Sequence, residues 1–153
     1  MDNLKIYSYN TKYNESFYEL NKSWIEEFWE LEKSDFKDLL HPKKYIIDKG
    51  GEIFFAVKQN IVIGTAAMIP FSKNKIELAK MTVHINYRGK GISKILMKNS
   101  ISYAKKNNFK EIFLVSNSKL EAAKKLYKNF GFIEIALDSK KYIRGDYKMY
   151  LTL

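Results

Sequence analysis

Arg88-Gly89-Lys90-Gly91-Ile92-Ser93 stands between a stretch that reads as a strand, Lys75 to His84, and one that reads as a helix, Lys90 to Asn107. Small residues in such a turn let backbone N–H groups approach an anion closely. The start of the helix adds unpaired N–H donors and the positive end of the helix dipole. Arg88 and Lys90 add formal positive charge. Together these features suit a pyrophosphate, although an ordinary loop uses the same glycines, so the turn alone leaves both readings open. It is not a P-loop, because G-x-x-x-x-G-K-[ST] is absent. Nor is it the dinucleotide fingerprint G-x-G-x-x-G, since Lys94 stands where the third glycine belongs.

Working outward, Ile92, Ile95, Leu96 and Tyr103 form an apolar stripe on the helix, widened by Met97, Ile101 and Ala104. Lys94, Lys98, Ser102 and Lys105 face away from it. Glu111 to Val115 is short and almost wholly apolar, as a buried parallel strand would be. Lys119 to Phe130 reads as a helix, with Gly131 where a C-cap glycine belongs. Phe132 to Leu137 and Lys141 to Leu151 read as closing strands. On the N-terminal side, Ile53 to Val57 and Ile61 to Ile69 are rich in β-branched residues. Lys58-Gln59-Asn60 separates them, which predicts a hairpin. Pro42 opens a short helical turn that Gly50-Gly51 stops, and Asp35 to Leu40 gives another. Phe17, Leu20, Trp24, Phe28 and Leu31 recur at helical spacing, which predicts a helix over Tyr13 to Leu31; Leu4 to Tyr9 alternates as a strand. The order predicts a mixed α/β sheet with helices on both faces, in a single domain over residues 1–153.

A hydrophobic fraction of 46% in 153 residues is enough for a packed core. The chain has no cysteine, which excludes disulfides, thiolate metal ligands and a cysteinyl acyl intermediate. His41 and His84 stand alone, so no metal is expected. The formal charge of +10 comes from lysines spread along the whole chain, not from a basic stripe interleaved with aromatics, so nucleic-acid binding is not expected. No apolar run approaches the roughly 18 residues of a membrane span. Met1-Asp2-Asn3-Leu4 lacks the basic and apolar regions of a signal peptide, so a cytoplasmic protein is expected.

These residues resemble the GNAT superfamily of N-acetyltransferases. The family's signature [Q/R]-x-x-G-x-[G/A] is filled by Arg88, Gly91 and Ser93, with Ser93 departing from the usual Gly or Ala. Glu77-Leu78-Ala79-Lys80-Met81-Thr82-Val83 precedes the turn at the family's spacing. Asn117-Ser118-Lys119-Leu120, Ala123, Leu126-Tyr127 and Gly131-Phe132 resemble the second cofactor segment, where Leu120 replaces a common Asn. Tyr142, Arg144, Asp146 and Met149 resemble the closing strand of one branch. The resemblance covers residues 75 to 153 well. It implies a mostly antiparallel sheet of about six or seven strands, with one parallel pair splayed apart to receive acetyl-CoA. Met81, Thr82 and Val83 would then contact the pantetheine arm. Arg88, Gly89, Lys90, Gly91, Ile92, Ser93 and Lys94 would hold the pyrophosphate, and Asn117, Leu120 and Ala123 would line the other side. Many relatives form homodimers, which leaves a homodimer open here.

The resemblance also implies direct transfer of the acetyl group to an amine acceptor. Glu77 is then a candidate base, acting directly or through water. Strand alternation puts it on one face with Ala79, Met81 and Val83; the competing reading is a solvated or ion-paired carboxylate at the start of the strand. Tyr127 is a candidate acid for the departing thiolate, although its place on the apolar stripe of its helix also suits a core tyrosine. Trp24, Phe28 and Trp29 could border an acceptor pocket, but spacing favours the core for Trp24 and Phe28. Arg144 and Asp146 either contact the acceptor or pair with other charges on the sheet, the second reading being favoured, and His84 has no assigned role. A non-catalytic acetyl-CoA sensor is the alternative. It would not need Glu77 and Tyr127.

Overall fold

The hairpin turns as its composition demands. Gln59 and Asn60 both take positive φ (51° and 64°), as a tight primed turn requires. They join β2 (Glu52–Lys58) to β3 (Ile61–Pro70). In the computed structural model, which describes residues 3–138 and 141–153, these strands belong to one seven-stranded sheet. The others are β1 (Leu4–Tyr7), β4 (Lys75–Val83), β5 (Glu111–Ser116), β6 (Ile133–Ile135) and β7 (Tyr147–Thr152), and the order across the sheet is β1-β2-β3-β4-β5-β7-β6. Every neighbouring pair is antiparallel except β4 and β5. The Met1-Asp2 reading lies outside the described residues.

Helices cover both faces. On one face α3 (Ile92–Lys106) and α4 (Glu121–Asn129) close a core that includes Leu96, Met97, Ile112 and Met149. On the other, α1 (Asn14–Ile25), α2 (Lys33–Leu40) and a π-type turn at Lys43–Ile47 cover Phe55, Ala67 and Ala79. No helix among the described residues is long and apolar enough to cross a membrane.

Three departures from the sequence reading shape the site. First, α1 stops at Ile25, short of Leu31. Its buried positions are Phe17, Asn21 and Ile25, one every four residues. Trp24 is half-buried and Phe28 exposed, so neither is a core residue. Beyond Ile25 the chain unwinds through tight turns, and Trp24, Phe28 and Trp29 pack against one another, with centroids 5.5 Å apart for Phe28–Trp29 and 6.4 Å for Trp24–Trp29.

Second, β4 carries a bulge. Between Thr65 and Ala67 on β3, the partners on β4 run from Thr82 to Ala79, so β4 holds one residue more. Lys80 absorbs it with a left-handed φ of 52°. An extra residue reverses strand parity. Glu77 and Ala79 therefore face α2 and α1, while Met81 and Val83 join the core under α3. The expected common face of Glu77 with Met81 and Val83 does not form.

Third, the closing strand begins at Tyr147, not Lys141. Lys141 to Arg144 is held off the sheet by α2: the Ile143 N–H donates to the Glu32 carboxylate at 2.6 Å, Lys141 pairs with Asp38 at 2.9 Å, and Arg144 pairs with Asp35.

Candidate active site

The parallel strands β4 and β5 pair only from Lys75, Ile76 and Glu77 to Glu111, Ile112 and Phe113. Beyond that they diverge. The edge of β4 facing β5 from Leu78 onward has no strand partner, so its backbone groups, apart from the Val83 carbonyl that Arg88 occupies, are open to a ligand. A cavity of about 840 Å³ fills the gap. Met81, Thr82 and Val83 form one wall; Asn117, Leu120, Ala123 and Tyr127 form the other; Arg88, Gly89, Gly91, Ile92, Ser93 and Lys94 close one end. These thirteen expected residues meet around one space. Lys90 stands off the wall, its ammonium 5.5 Å from the Tyr87 ring. Glu77 is also absent from it.

At the closed end the main chain is shaped to receive an anion. Gly89 and Gly91 hold positive φ (77° and 82°), and a Cβ on either would meet no protein atom within 4 Å. Gly91 caps α3 without any side-chain bond, and no acidic residue occupies the first turn of the helix. The first N–H groups of α3 thus point at open space with the dipole behind them. This geometry fits the pyrophosphate of a nucleotide cofactor. Arg88 contributes less directly than expected: its Nε donates to the Val83 carbonyl (3.0 Å) and its guanidinium to Glu27 (3.0 Å). Asn117 is similarly engaged, donating to the Arg144 carbonyl (2.7 Å) and accepting from the Lys119 N–H (2.8 Å), so it shapes the β5–α4 turn. Asp146 supports that turn from β7, accepting from Ser118 N and Oγ (2.9 and 2.7 Å).

Tyr127 is buried on α4 with its ring against Phe132, yet borders the cavity. Burial, and then Tyr147 beside it, push its phenol above the ordinary tyrosine range, so it is a lasting hydrogen-bond donor. Glu77 pairs with Lys141 at 3.1 Å, and Asp38 shares the same ammonium. It is the ion-paired carboxylate of the competing reading, not a group on the cavity wall. The carboxylates on that wall, among the described residues, are Glu27 and Glu121.

Trp24, Phe28 and Trp29 also border the cavity, with Tyr142 and Arg144. Behind them lies a charge network of which sequence reasoning foresaw only that Arg144 is paired. Asp35, fully buried, accepts from Lys80 Nζ (2.6 Å), from both Arg144 terminal nitrogens (2.7 and 2.8 Å) and from the Glu32 N–H (2.8 Å). Burial alone would raise the Asp35 carboxyl, but Arg144 and Lys80 outweigh it and hold the group well below the usual carboxylate range. Lysine at position 80, amid the apolar residues of a central strand, was the visible signal. The His84 imidazole accepts from the Asn86 N–H, at 3.1 Å, in the turn after β4.

Comparison with known proteins agrees with this geometry. The model of the acetyltransferase (GNAT) family matches residues 13–132. N-acetylaspartate synthetase of Xenopus tropicalis is 33% identical over 110 residues, covering 71% of this chain and 41% of that protein. The chain thus spans well under half the length of the curated relatives it matches. An acetyltransferase of the GNAT family from Staphylococcus aureus Mu50 superposes with a TM-score of 0.89 at 27% identity, covering 97% of this chain and 98% of that one. The Salmonella typhimurium protein yncA, solved with its cofactor acetyl-CoA, superposes with a TM-score of 0.81 at 18% identity, covering 99% and 94%.

Proposed function

Because the chain belongs to the GNAT family of acetyltransferases, we propose that it moves the acetyl group of acetyl-CoA to a primary amine by direct attack in a ternary complex. The observation that carries this reading is the cleft between β4 and β5, which ends on an uncapped, glycine-entered helix start and has Tyr127 on its wall. That the Salmonella neighbour was solved with acetyl-CoA supports the choice of donor.

The pyrophosphate rests on the N–H groups of Gly89 to Lys94, and the pantetheine arm follows the free edge of β4 past Met81, Thr82 and Val83. The acceptor enters between Trp24, Phe28 and Trp29. Its amine must first lose a proton, and Glu27, a cavity-wall carboxylate paired with Arg88, takes it through water. The nitrogen then attacks the thioester carbon. Backbone N–H groups on the free edge of β4 stabilise the oxyanion. As the C–N bond is completed the nitrogen releases its surplus proton to solvent water, the C–S bond breaks, and Tyr127 donates a hydrogen bond to the departing thiolate. A free thiol has a pKa of about 8.5, and the Tyr127 phenol is a weaker acid still, so it stabilises the thiolate without giving up its proton. Glu77 orders the fold around Lys141. The N-acetylaspartate synthetase relatives put amino-acid amines among the acceptors to try first.

Calorimetric titration with acetyl-CoA, followed by detection of released CoA with a thiol reagent across a panel of amines, tests this. The lack of cysteine leaves that assay without background. Binding with amine-dependent release is expected. Binding without release for any amine would favour a non-catalytic acetyl-CoA-binding module, and no binding would overturn the proposal.

A further inference from the structure

A buried hydrogen-bonded chain joins the acceptor rim to the β4 bulge. The Trp24 indole N–H donates to Asn21 Oδ1 (3.0 Å). Asn21 Nδ2 donates to Thr65 Oγ1 (3.2 Å) and to the Phe17 carbonyl (2.8 Å). The Thr65 hydroxyl donates to the Lys80 carbonyl (2.8 Å). Both ends fix its direction, because an indole N–H only donates and a carbonyl only accepts. The return path is ionic: Lys80 Nζ to Asp35, Asp35 to Arg144, and the Arg144 guanidinium 5.7 Å from the centre of the Trp24 ring. Asn21 on α1 and Thr65 on β3 are fully buried and absent from the cavity wall. Apolar residues would fill these positions at lower desolvation cost, since a buried polar group is tolerated only when its bonds are made. What the polar pair adds is a fixed relation between its two ends.

We propose that Asn21 and Thr65 are positioning residues, which lock the Trp24 ring on the acceptor side to the Lys80 bulge on the strand that receives the acyl group. This inference rests on the transferase reading above. Neither residue touches substrate; each acts through Trp24 and Lys80. Losing the link leaves the cofactor wall in place but frees the acceptor wall, so the amine loses its orientation while acetyl-CoA keeps its own.

The test compares Thr65→Val, which keeps the shape and removes the hydroxyl, with Thr65→Ser, which restores it. Thermal unfolding verifies that each variant is folded. Using an amine from the panel, we expect Thr65→Val to raise KM for the amine about tenfold with KM for acetyl-CoA nearly unchanged, and Thr65→Ser to recover the wild-type values. If Thr65→Val does not fold, Asn21→Leu, which keeps the side-chain volume and removes the link between Trp24 and Thr65, must give the same split. Equal KM values in the Val and Ser variants, or parallel loss for both substrates, would overturn the inference alone. A wild-type chain that acetylates no amine would overturn the transferase reading and this inference with it.

Discussion

Asp35 and Lys80 meet at 2.6 Å with both side chains almost wholly excluded from solvent. Asp35 lies in the first turn of α2 and Lys80 in the bulge of β4, so the contact pins a helix to the strand that walls the cleft. Removing one member of such a pair is costly, because the remaining charge stays buried. Asp35→Asn should therefore lower stability at neutral pH by about 3–5 kcal/mol. The effect has a sign in pH. The folded carboxyl is depressed, so its contribution is fully present above the unfolded value of about 3.9 and is lost as pH falls towards the folded one. Urea unfolding at pH 7 and pH 3 should show the gap between wild type and variant narrowing in acid. An equal gap at both would argue against the ion pair.

Tyr127→Phe isolates the phenol. The ring stays packed on Phe132, so the fold and acetyl-CoA affinity should hold while kcat falls by about 10–100-fold. Since burial raises the phenol above its ordinary value of about 10, the ratio of wild type to variant should stay constant through pH 9. A ratio that collapsed between pH 7 and 9 would mean that another group titrates in the role given to Tyr127.

The two carboxylates separate base from scaffold. Glu27→Gln should lower kcat by about 10²-fold, with stability changed by no more than about 1 kcal/mol, because its pairing with Arg88 is half exposed. Glu77→Gln should do the opposite, retaining turnover and losing about 1–3 kcal/mol as the partly buried Lys141 contact weakens. Steady-state kinetics with denaturant curves for both variants decides. A Glu77→Gln chain that binds acetyl-CoA and is folded, but is inactive, would return the base to Glu77.

What the sequence disclosed follows from the range of each interaction. The turn from Arg88 to Ser93, the Gln59-Asn60 hairpin and the Gly131 cap are local, and local chemistry dictates them. The face of Glu77 was misread because the bulge at Lys80 has no glycine to announce it, and one unannounced residue reverses every side chain after it. The late start of β7 is non-local: Arg144 leaves the sheet for Asp35, 109 residues earlier in the chain. Asn21 lies between these cases. Counting by four from Phe17 to Ile25 puts a polar residue in the middle of the buried face, and that anomaly was visible, whereas its partner Thr65, 44 residues on, was not.

Gly91 offers a test of the anion cradle with an internal control. Gly91→Ala forces an L side chain into positive φ, at a cost of about 1–2 kcal/mol. It also places a methyl group in the open space above the start of α3. Gly50→Ala imposes the same backbone strain at φ 91°, likewise with open space around the added Cβ, but Gly50 lies in the turn before β2 and away from the cavity. Both variants should lose similar stability in thermal unfolding. Only Gly91→Ala should weaken acetyl-CoA binding, by about tenfold or more in calorimetry, because only there does the methyl displace a phosphate from its N–H donors. Equal affinity in the two variants would place the pyrophosphate elsewhere in the cleft, and the case for this turn as its seat would fail even though the fold stood.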